Sequence, residues 1–153
     1  MNNQETGTKE DLVKYRLEKA YNDLQDANLL IAKKSVTSAN NRLYYSVFHA
    51  ITAIHALDNV ITKKHNQAIG EFNKTYINNK EVFSREYGSK IKEIQSARIT
   101  SDYDDFVMPD LDETIDNQRF VETFLDETKK YCEERLGIKI SIHTEDNRAG
   151  GGD

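Results

Sequence analysis

Arg42 and His49 place a permanent cation and a titratable imidazole in one strongly apolar stretch, residues 41–50. Seven helical steps of about 100° return to within roughly 20° of the start, so a helix would carry both groups on one face, with Tyr45 between them. An imidazole exchanges protons near neutral pH, and the planar guanidinium can bond two phosphate oxygens at once. The row is therefore suited to acid–base chemistry beside a phosphate.

The alternative is that this row is structural. Buried charges are costly unless they are paired, and an ion pair from Arg42 to Asp102 and Asp105 would meet that requirement while fixing the helix packing. Arg98 shares a helical face with these two acids, so such a pairing is sterically reasonable. His49 would then be a buried structural histidine. The sequence leaves both interpretations open.

Helical periodicity predicts the elements that must position these groups. Residues 38–57 are apolar nearly all round and should form the central, most buried helix. In residues 9–34 an apolar stripe alternates with acids and lysines, which we interpret as a solvated face. Gly88 interrupts a later pattern and predicts a break or bend there. The predicted helices are 9–34, 38–57, 65–76, 81–101 and 110–136.

The ends of the first and last helices carry cap signals. Thr8 is the predicted N-cap of the first helix, with Asp11 as its capping-box partner, and Gly137 is the predicted C-cap of the last. Beyond that glycine, apolar and polar residues alternate over 138–142, which predicts a short strand or an extended segment. A strand there would have to pair with a second copy of the chain.

The composition indicates one helical domain. Among 153 residues there are one proline and seven glycines, and 37% of residues are hydrophobic against 31% charged, which is typical of helices with one apolar stripe. We expect an all-α domain over residues 9–136, and an extended segment with a flexible acidic, Gly-rich tail over residues 137–153. The net charge of −5 argues against non-specific coating of DNA.

The sequence also disfavours several classes of site and location. Cys132 is the single cysteine, so an intrachain disulfide or a thiolate zinc site is excluded. Neither a histidine pair with ligand spacing nor a glycine-rich phosphate loop is present, and we expect no metal and no cofactor. The N-terminus lacks the pattern of a signal peptide, and no run of about 18 apolar residues occurs. We expect a soluble cytoplasmic protein with no membrane contact.

Four segments carry a family resemblance: 17–30, 41–50, His65 with Phe72, and 98–103. In this order and spacing they resemble the HEPN family (higher eukaryote and prokaryote nucleotide-binding domain). The resemblance implies an up-and-down bundle of four or five helices that usually forms a homodimer. It also implies a place in a prokaryotic toxin–antitoxin pair or in phage defence, often with a small nucleotidyltransferase as partner. Many members are metal-independent ribonucleases that use an Arg and a His separated by four to six residues.

The sequence departs from this active pattern at one place. In the typical nuclease the Arg and His begin the final helical hairpin, where Arg98 stands here, but Tyr103 occupies the position expected for the His. The spacing of Arg42 and His49 does satisfy the formula, in an earlier helix. With four histidines and seven arginines in the chain, such a spacing can also arise by chance.

Metal-independent RNA cleavage needs a base for the 2′-hydroxyl proton, an acid for the leaving oxygen and a cation for the charged phosphorane. A symmetric dimer would supply two sets of such groups across one cleft. The alternative function is a catalytically degenerate module that binds a nucleotide or a protein, and that dimerises or pairs with a nucleotidyltransferase. We predict as catalytic residues Arg42, His49 and Arg98, and as contacts to RNA or a nucleotide Tyr45, His65, Asp102 and Tyr103.

Overall fold

The computed structural model describes residues 8–103 and 110–144, except for the side chains of residues 100–103. Five α-helices and one π-helical segment occupy this part of the chain, and it contains no strand, so the all-α prediction is confirmed. None of the described helices is both long and apolar enough to cross a membrane. The elements are α1 (Lys9–Ala32), α2 (Val36–Leu57), α3 (His65–Phe72), the π-helix (Asn73–Asn79), α4 (Arg85–Tyr103) and α5 (Leu111–Leu136).

Helix α1 begins with the predicted capping box. The Thr8 hydroxyl accepts a hydrogen bond from the Asp11 N–H, and the Asp11 carboxylate accepts one from the Thr8 N–H, both at 3.1 Å. The helix ends at Ala32, two residues before the predicted end, because Lys34 adopts a left-handed conformation with φ 62°. These local contacts fix where α1 begins and ends.

Helix α2 is the centre of the bundle, as predicted. It packs against α1, α3, α4 and α5, and its small residues allow close approach. The Ser46 hydroxyl is fully buried and donates to the Ala20 carbonyl of α1 at 2.7 Å, which satisfies a polar group inside the interface. Because α2 is covered on several sides, its polar side chains must find partners on neighbouring helices.

The region between α2 and α4 corrects two predictions. The predicted helix 65–76 is α-helical only to Phe72 and continues as the π-helix, whose Tyr76 and Ile77 are buried. The predicted bend at Gly88 is wrong, since α4 passes through it unbroken. A Cβ at Gly88 would lie 3.4 Å from Ile77 Cδ1 of the π-helix, which is an ordinary van der Waals contact, so a side chain could be accommodated there.

The C-terminal segment packs against the core of its own chain. Gly137 caps α5 with φ 71°, as predicted. Residues 138–144 then form no strand; the Ile140 N–H donates to the Glu133 carboxylate and the His143 N–H to the Glu18 carboxylate, each at 2.9 Å. The Ile140 side chain is buried. The predicted flexible tail beyond residue 144 lies outside the described residues.

Candidate functional site

Arg42 and His49 converge on one carboxylate, that of Asp23 in α1. Arg42 Nη1 lies 3.0 Å from Asp23 Oδ1, and His49 Nε2 lies 3.5 Å from Asp23 Oδ2. The Asp23 side chain is 12% exposed. The shared helical face predicted for Arg42 and His49 therefore does bring them to one place, and α1 supplies the group that joins them.

Asp23 corrects the interpretation of the α1 acids as a uniformly solvated face. It lies three residues after Ala20 and four before Ala27, both fully buried, so it is on the apolar side of the helix. The sequence therefore did contain a signal that Asp23 lies on the buried face of α1. An acid on a buried helical stripe requires a partner, and α2 provides two.

Further contacts hold the Arg42 guanidinium in place. Asn41 Oδ1 accepts from Arg42 Nη2 at 2.7 Å and from Nε at 3.2 Å. The guanidinium carbon also lies 5.2 Å from the centroid of the Tyr45 ring, a cation–π contact. The alternative ion pair of Arg42 with Asp102 or Asp105 stays a prediction, because those side chains lie outside the described ones.

Arg98 reaches the same aromatic face of α2 from α4. Its guanidinium carbon is 5.0 Å from the Tyr44 ring centroid and 5.4 Å from the Tyr45 ring centroid. Tyr45 thus contacts both Arg42 and Arg98. Asp102 and Tyr103 stand in the last turn of α4, but their side chains are not described, and their predicted roles stay predictions.

His65, the first residue of α3, joins this cluster. Its Nδ1 is 3.1 Å from the Tyr44 hydroxyl, and its ring centroid is 4.0 Å from that of Phe48. Burial, followed by the charge of Arg98, lowers the pKa of His65 below its ordinary 6.5. The ring is therefore mostly neutral at pH 7.

The protonation states at Asp23 and His49 follow from burial and surrounding charge. Burial is the largest cause that lowers the pKa of His49 to about 4, with smaller contributions from Lys19, Arg42, His65 in its protonated form, and Arg16. Burial also raises the pKa of Asp23 to about 6, against the opposing charge of Arg42. A carboxylate 3.5 Å away favours a protonated ring, but desolvation and the charges of Lys19, Arg42 and Arg16 outweigh it. At pH 7 we assign a neutral imidazole beside an ionised carboxylate.

A cavity of about 400 Å³ opens beside this cluster, between α1, α2, the loop after α2 and the start of α3. His49 and His65 line it, whereas Arg42, Tyr45 and Arg98 do not. Four further cations line it, and no carboxylate does: Arg16, Lys19, Lys63 and Lys64. We call this space the cationic cavity. The cavity was not predicted from the sequence, because its cations come from separate segments.

Metal ligation has no support in the described part of the chain, where no three His, Cys, Asp or Glu side chains are grouped closely enough to hold an ion. Buried His55 instead bonds through Nε2 to the Ala68 carbonyl at 2.8 Å, which ties α2 to α3. The chemistry available at the site is therefore that of an imidazole, a carboxylate and several cations.

Comparisons with known proteins agree with the bundle and the resemblance. The HEPN domain model matches residues 13–134. A UPF0332 protein of Thermotoga maritima is 29% identical over 126 residues, covering 82% of this chain and 95% of that protein. The protein named "Putative toxin MJ0142" of Methanocaldococcus jannaschii is 30% identical over 115 residues, covering 75% of this chain and 78% of that protein. This chain belongs to the HEPN domain family.

Proposed function

We propose that this protein is a toxin of the HEPN family that binds RNA and cleaves it by metal-independent acid–base chemistry. The observation that carries the proposal is the convergence of Arg42 and His49 on the buried Asp23, with the imidazole exposed to the cationic cavity. The archaeal relative that is named as a toxin supports the biological role.

His49 has the properties of the general base. Its Nε2 faces Asp23, so an N–H there would point to the carboxylate and leave the Nδ1 lone pair for a proton. Nδ1 takes the proton of the RNA 2′-hydroxyl, and the 2′ oxygen forms a bond to phosphorus. The bond from phosphorus to the 5′ oxygen breaks, giving a 2′,3′-cyclic phosphate and a 5′-hydroxyl end. His65, which lines the same cavity, supplies the proton for the leaving oxygen in its protonated form.

Arg42 and Arg98 have the properties of the cationic groups. Arg42 carries five N–H donors, and the bonds to Asp23 and Asn41 use three of them. Two donors therefore remain for phosphate oxygens, and the side chain is 34% exposed. Arg98, held over the Tyr44 and Tyr45 rings, adds a second guanidinium to the same face. Neither guanidinium lines the cationic cavity, but both contact the Tyr45 ring, whose centroid is 6.2 Å from that of His49, so both are near the side of the cavity where a phosphorane would form.

The test is cleavage of single-stranded RNA in EDTA by the wild type, His49→Gln and Arg42→Gln. We expect cyclic-phosphate products from the wild type and a loss of about 10²- to 10⁴-fold in kcat for His49→Gln, as for other general bases. His143→Gln is the matched control, because His143 is an exposed histidine outside the cavity. No cleavage by the wild type, or full activity of His49→Gln, would overturn the proposal.

A second candidate function is a non-catalytic module that binds a nucleotide or a protein. It is favoured by the extent to which the site is already satisfied, since Asp23 and Asn41 engage Arg42, and Asp23 also faces His49. It predicts that calorimetry detects nucleotide or RNA binding while no product forms. The two functions thus differ in turnover and share the binding step.

We further propose that the protein forms a homodimer and pairs with a nucleotidyltransferase antitoxin or another defence-system protein. Membership of the HEPN family supports this, because a toxin needs a neutralising partner. Light scattering measures the mass of the isolated chain, and co-purification with the product of a neighbouring gene tests the pairing. A monomer with no co-purifying neighbour would count against both parts.

A further inference from the structure

The four cations of the cationic cavity form no close ion pairs with described carboxylates, although the charge of Lys19 does act on Asp23 from a longer distance. None of Arg16, Lys19, Lys63 and Lys64 forms an ion pair within 4.0 Å in the described part of the chain. What distinguishes these four is their place, since all of them line one concave space that has no described carboxylate in its lining. Like charges around one concave space repel each other, and an anion placed among them would relieve that repulsion.

Two of these cations are fixed by contacts that leave their charge intact. Arg16 Nη1 donates to the Thr52 carbonyl at 2.8 Å, which uses one of its five donors. Lys19 Nζ lies 5.3 Å from the centroid of the Tyr15 ring. A neutral carbonyl and an aromatic ring orient the two side chains, and neither neutralises them. The cations on α1 are therefore pre-positioned for a ligand.

The start of α3 adds backbone donors at the same cavity. Lys64 is the N-cap of α3 and makes no side-chain capping bond, although both it and His65 line the space. The first N–H groups of a helix lack partners within the helix and carry partial positive charge, which favours anions. This feature and the four side-chain cations act in the same direction.

The rim of the cavity is apolar and exposed. Leu12, Tyr15 and Ile61 line it, and Ile61 is 88% exposed. A ligand with charged oxygens and a flat apolar part would contact both kinds of side chain, since Lys19 lies beside the Tyr15 ring. A purely aliphatic ligand would leave the four cations without a partner and therefore fits less well.

We infer that the cationic cavity is a binding site for a phosphate-bearing ligand, formed by Arg16, Lys19, Lys63, Lys64 and the start of α3. The source of the phosphates is either a free polyphosphate or nucleotide, or the backbone of an RNA strand. None of these four cations belongs to the Arg98–Tyr103 segment in which the family resemblance would seek activity. It extends the proposed function and does not need cleavage, since binding alone would reveal it.

The experiment is calorimetric titration of the full chain with sodium tripolyphosphate, with ATP and with a short single-stranded RNA, at low and moderate salt. The test variant is Lys63→Ala/Lys64→Ala, whose two lysines are exposed and lie in and at the end of a loop. The matched control is Lys92→Ala/Lys130→Ala, which removes two exposed lysines that do not line the cavity. Circular dichroism verifies that all variants are folded.

We expect the test variant to bind about tenfold more weakly than the control, and the slope of log K against log salt for RNA to fall by about 1.4, the value for two lost phosphate contacts on a single strand. Weakening of tripolyphosphate and ATP binding would assign the site to free ligands as well. Weakening of RNA binding alone would assign it to a strand. Equal binding by test and control variants, or no binding of any probe by the wild type, would overturn the inference.

In the His49→Gln background RNA binding can be measured without cleavage, which separates this inference from the proposed function. Lysine-dependent binding without cleavage in the wild type would leave the phosphate site standing and remove the ribonuclease. If the wild type cleaves RNA but RNA and tripolyphosphate bind equally well without Lys63 and Lys64, the ribonuclease would stand and the phosphate site would be removed.

Discussion

Asp23 and His49 should change the free energy of unfolding in opposite directions as the pH falls. Substituting one of them should reveal the pH dependence that the other contributes. The pKa of His49 falls from 6.5 to about 4 on folding, so the unfolded chain binds its proton first. Its contribution to the free energy of unfolding is therefore fully present above pH 6.5 and is lost as the pH falls toward 4. The pKa of Asp23 rises from 3.8 to about 6, so its contribution is present below 3.8 and is lost as the pH rises through 6.

The two effects are of similar size. At about 1.4 kcal/mol per pKa unit, acidification from pH 7 to 4 costs about 3 kcal/mol through His49 and returns about 3 kcal/mol through Asp23. Both side chains are less than one-fifth exposed, so solvent screening is limited. We expect the pair to contribute little net pH dependence in the wild type.

His49→Gln removes the stability that His49 loses on acidification and keeps the stability that Asp23 gains. Asp23→Asn removes the gain and keeps the loss. Relative to the wild type, His49→Gln should gain about 2 kcal/mol in the free energy of unfolding between pH 7 and 4.5, and Asp23→Asn should lose a similar amount. Urea unfolding followed by far-UV circular dichroism measures both, and the double variant should return to the wild-type profile. Differences that stay constant within about 0.5 kcal/mol across this range would refute the reasoning.

Three further predictions concern other parts of the molecule. Cleavage should be fastest on the acid side of neutrality, because His65 must be protonated and its pKa lies below 6.5, and the rate should fall toward pH 4 as His49 takes up a proton; a pH–rate profile checks this. Gly88→Ala should stabilise the fold by about 0.5–1 kcal/mol in urea unfolding, because its Cβ would make an ordinary 3.4 Å contact inside a continuous helix; destabilisation would contradict the unbroken α4. Ile140→Ala should cost about 2–4 kcal/mol of unfolding free energy, because the extended C-terminal segment buries this side chain in the core; an unchanged urea midpoint would show that the segment does not pack there.

The local features of this protein could be predicted from its sequence. Thr8 with Asp11, and Gly137, mark helix ends through bonds and backbone angles that involve only near neighbours. The central position of α2 follows from apolar residues on nearly every face, since such a helix must be covered on all sides. The placing of Arg42 and His49 on one face follows from helical geometry alone.

The partners of those groups were decided only by the tertiary structure. Asp23 meets Arg42 and His49 because α1 packs against α2 at one particular register, which no local pattern specifies. The break predicted at Gly88 was wrong for a related reason, since the packing of α4 against α2, α5 and the π-helix outweighs the low helix propensity of one glycine. The cationic cavity is formed by residues far apart in the chain, and charges that look solvated in separate segments acquire a common function only when the bundle folds them around one space.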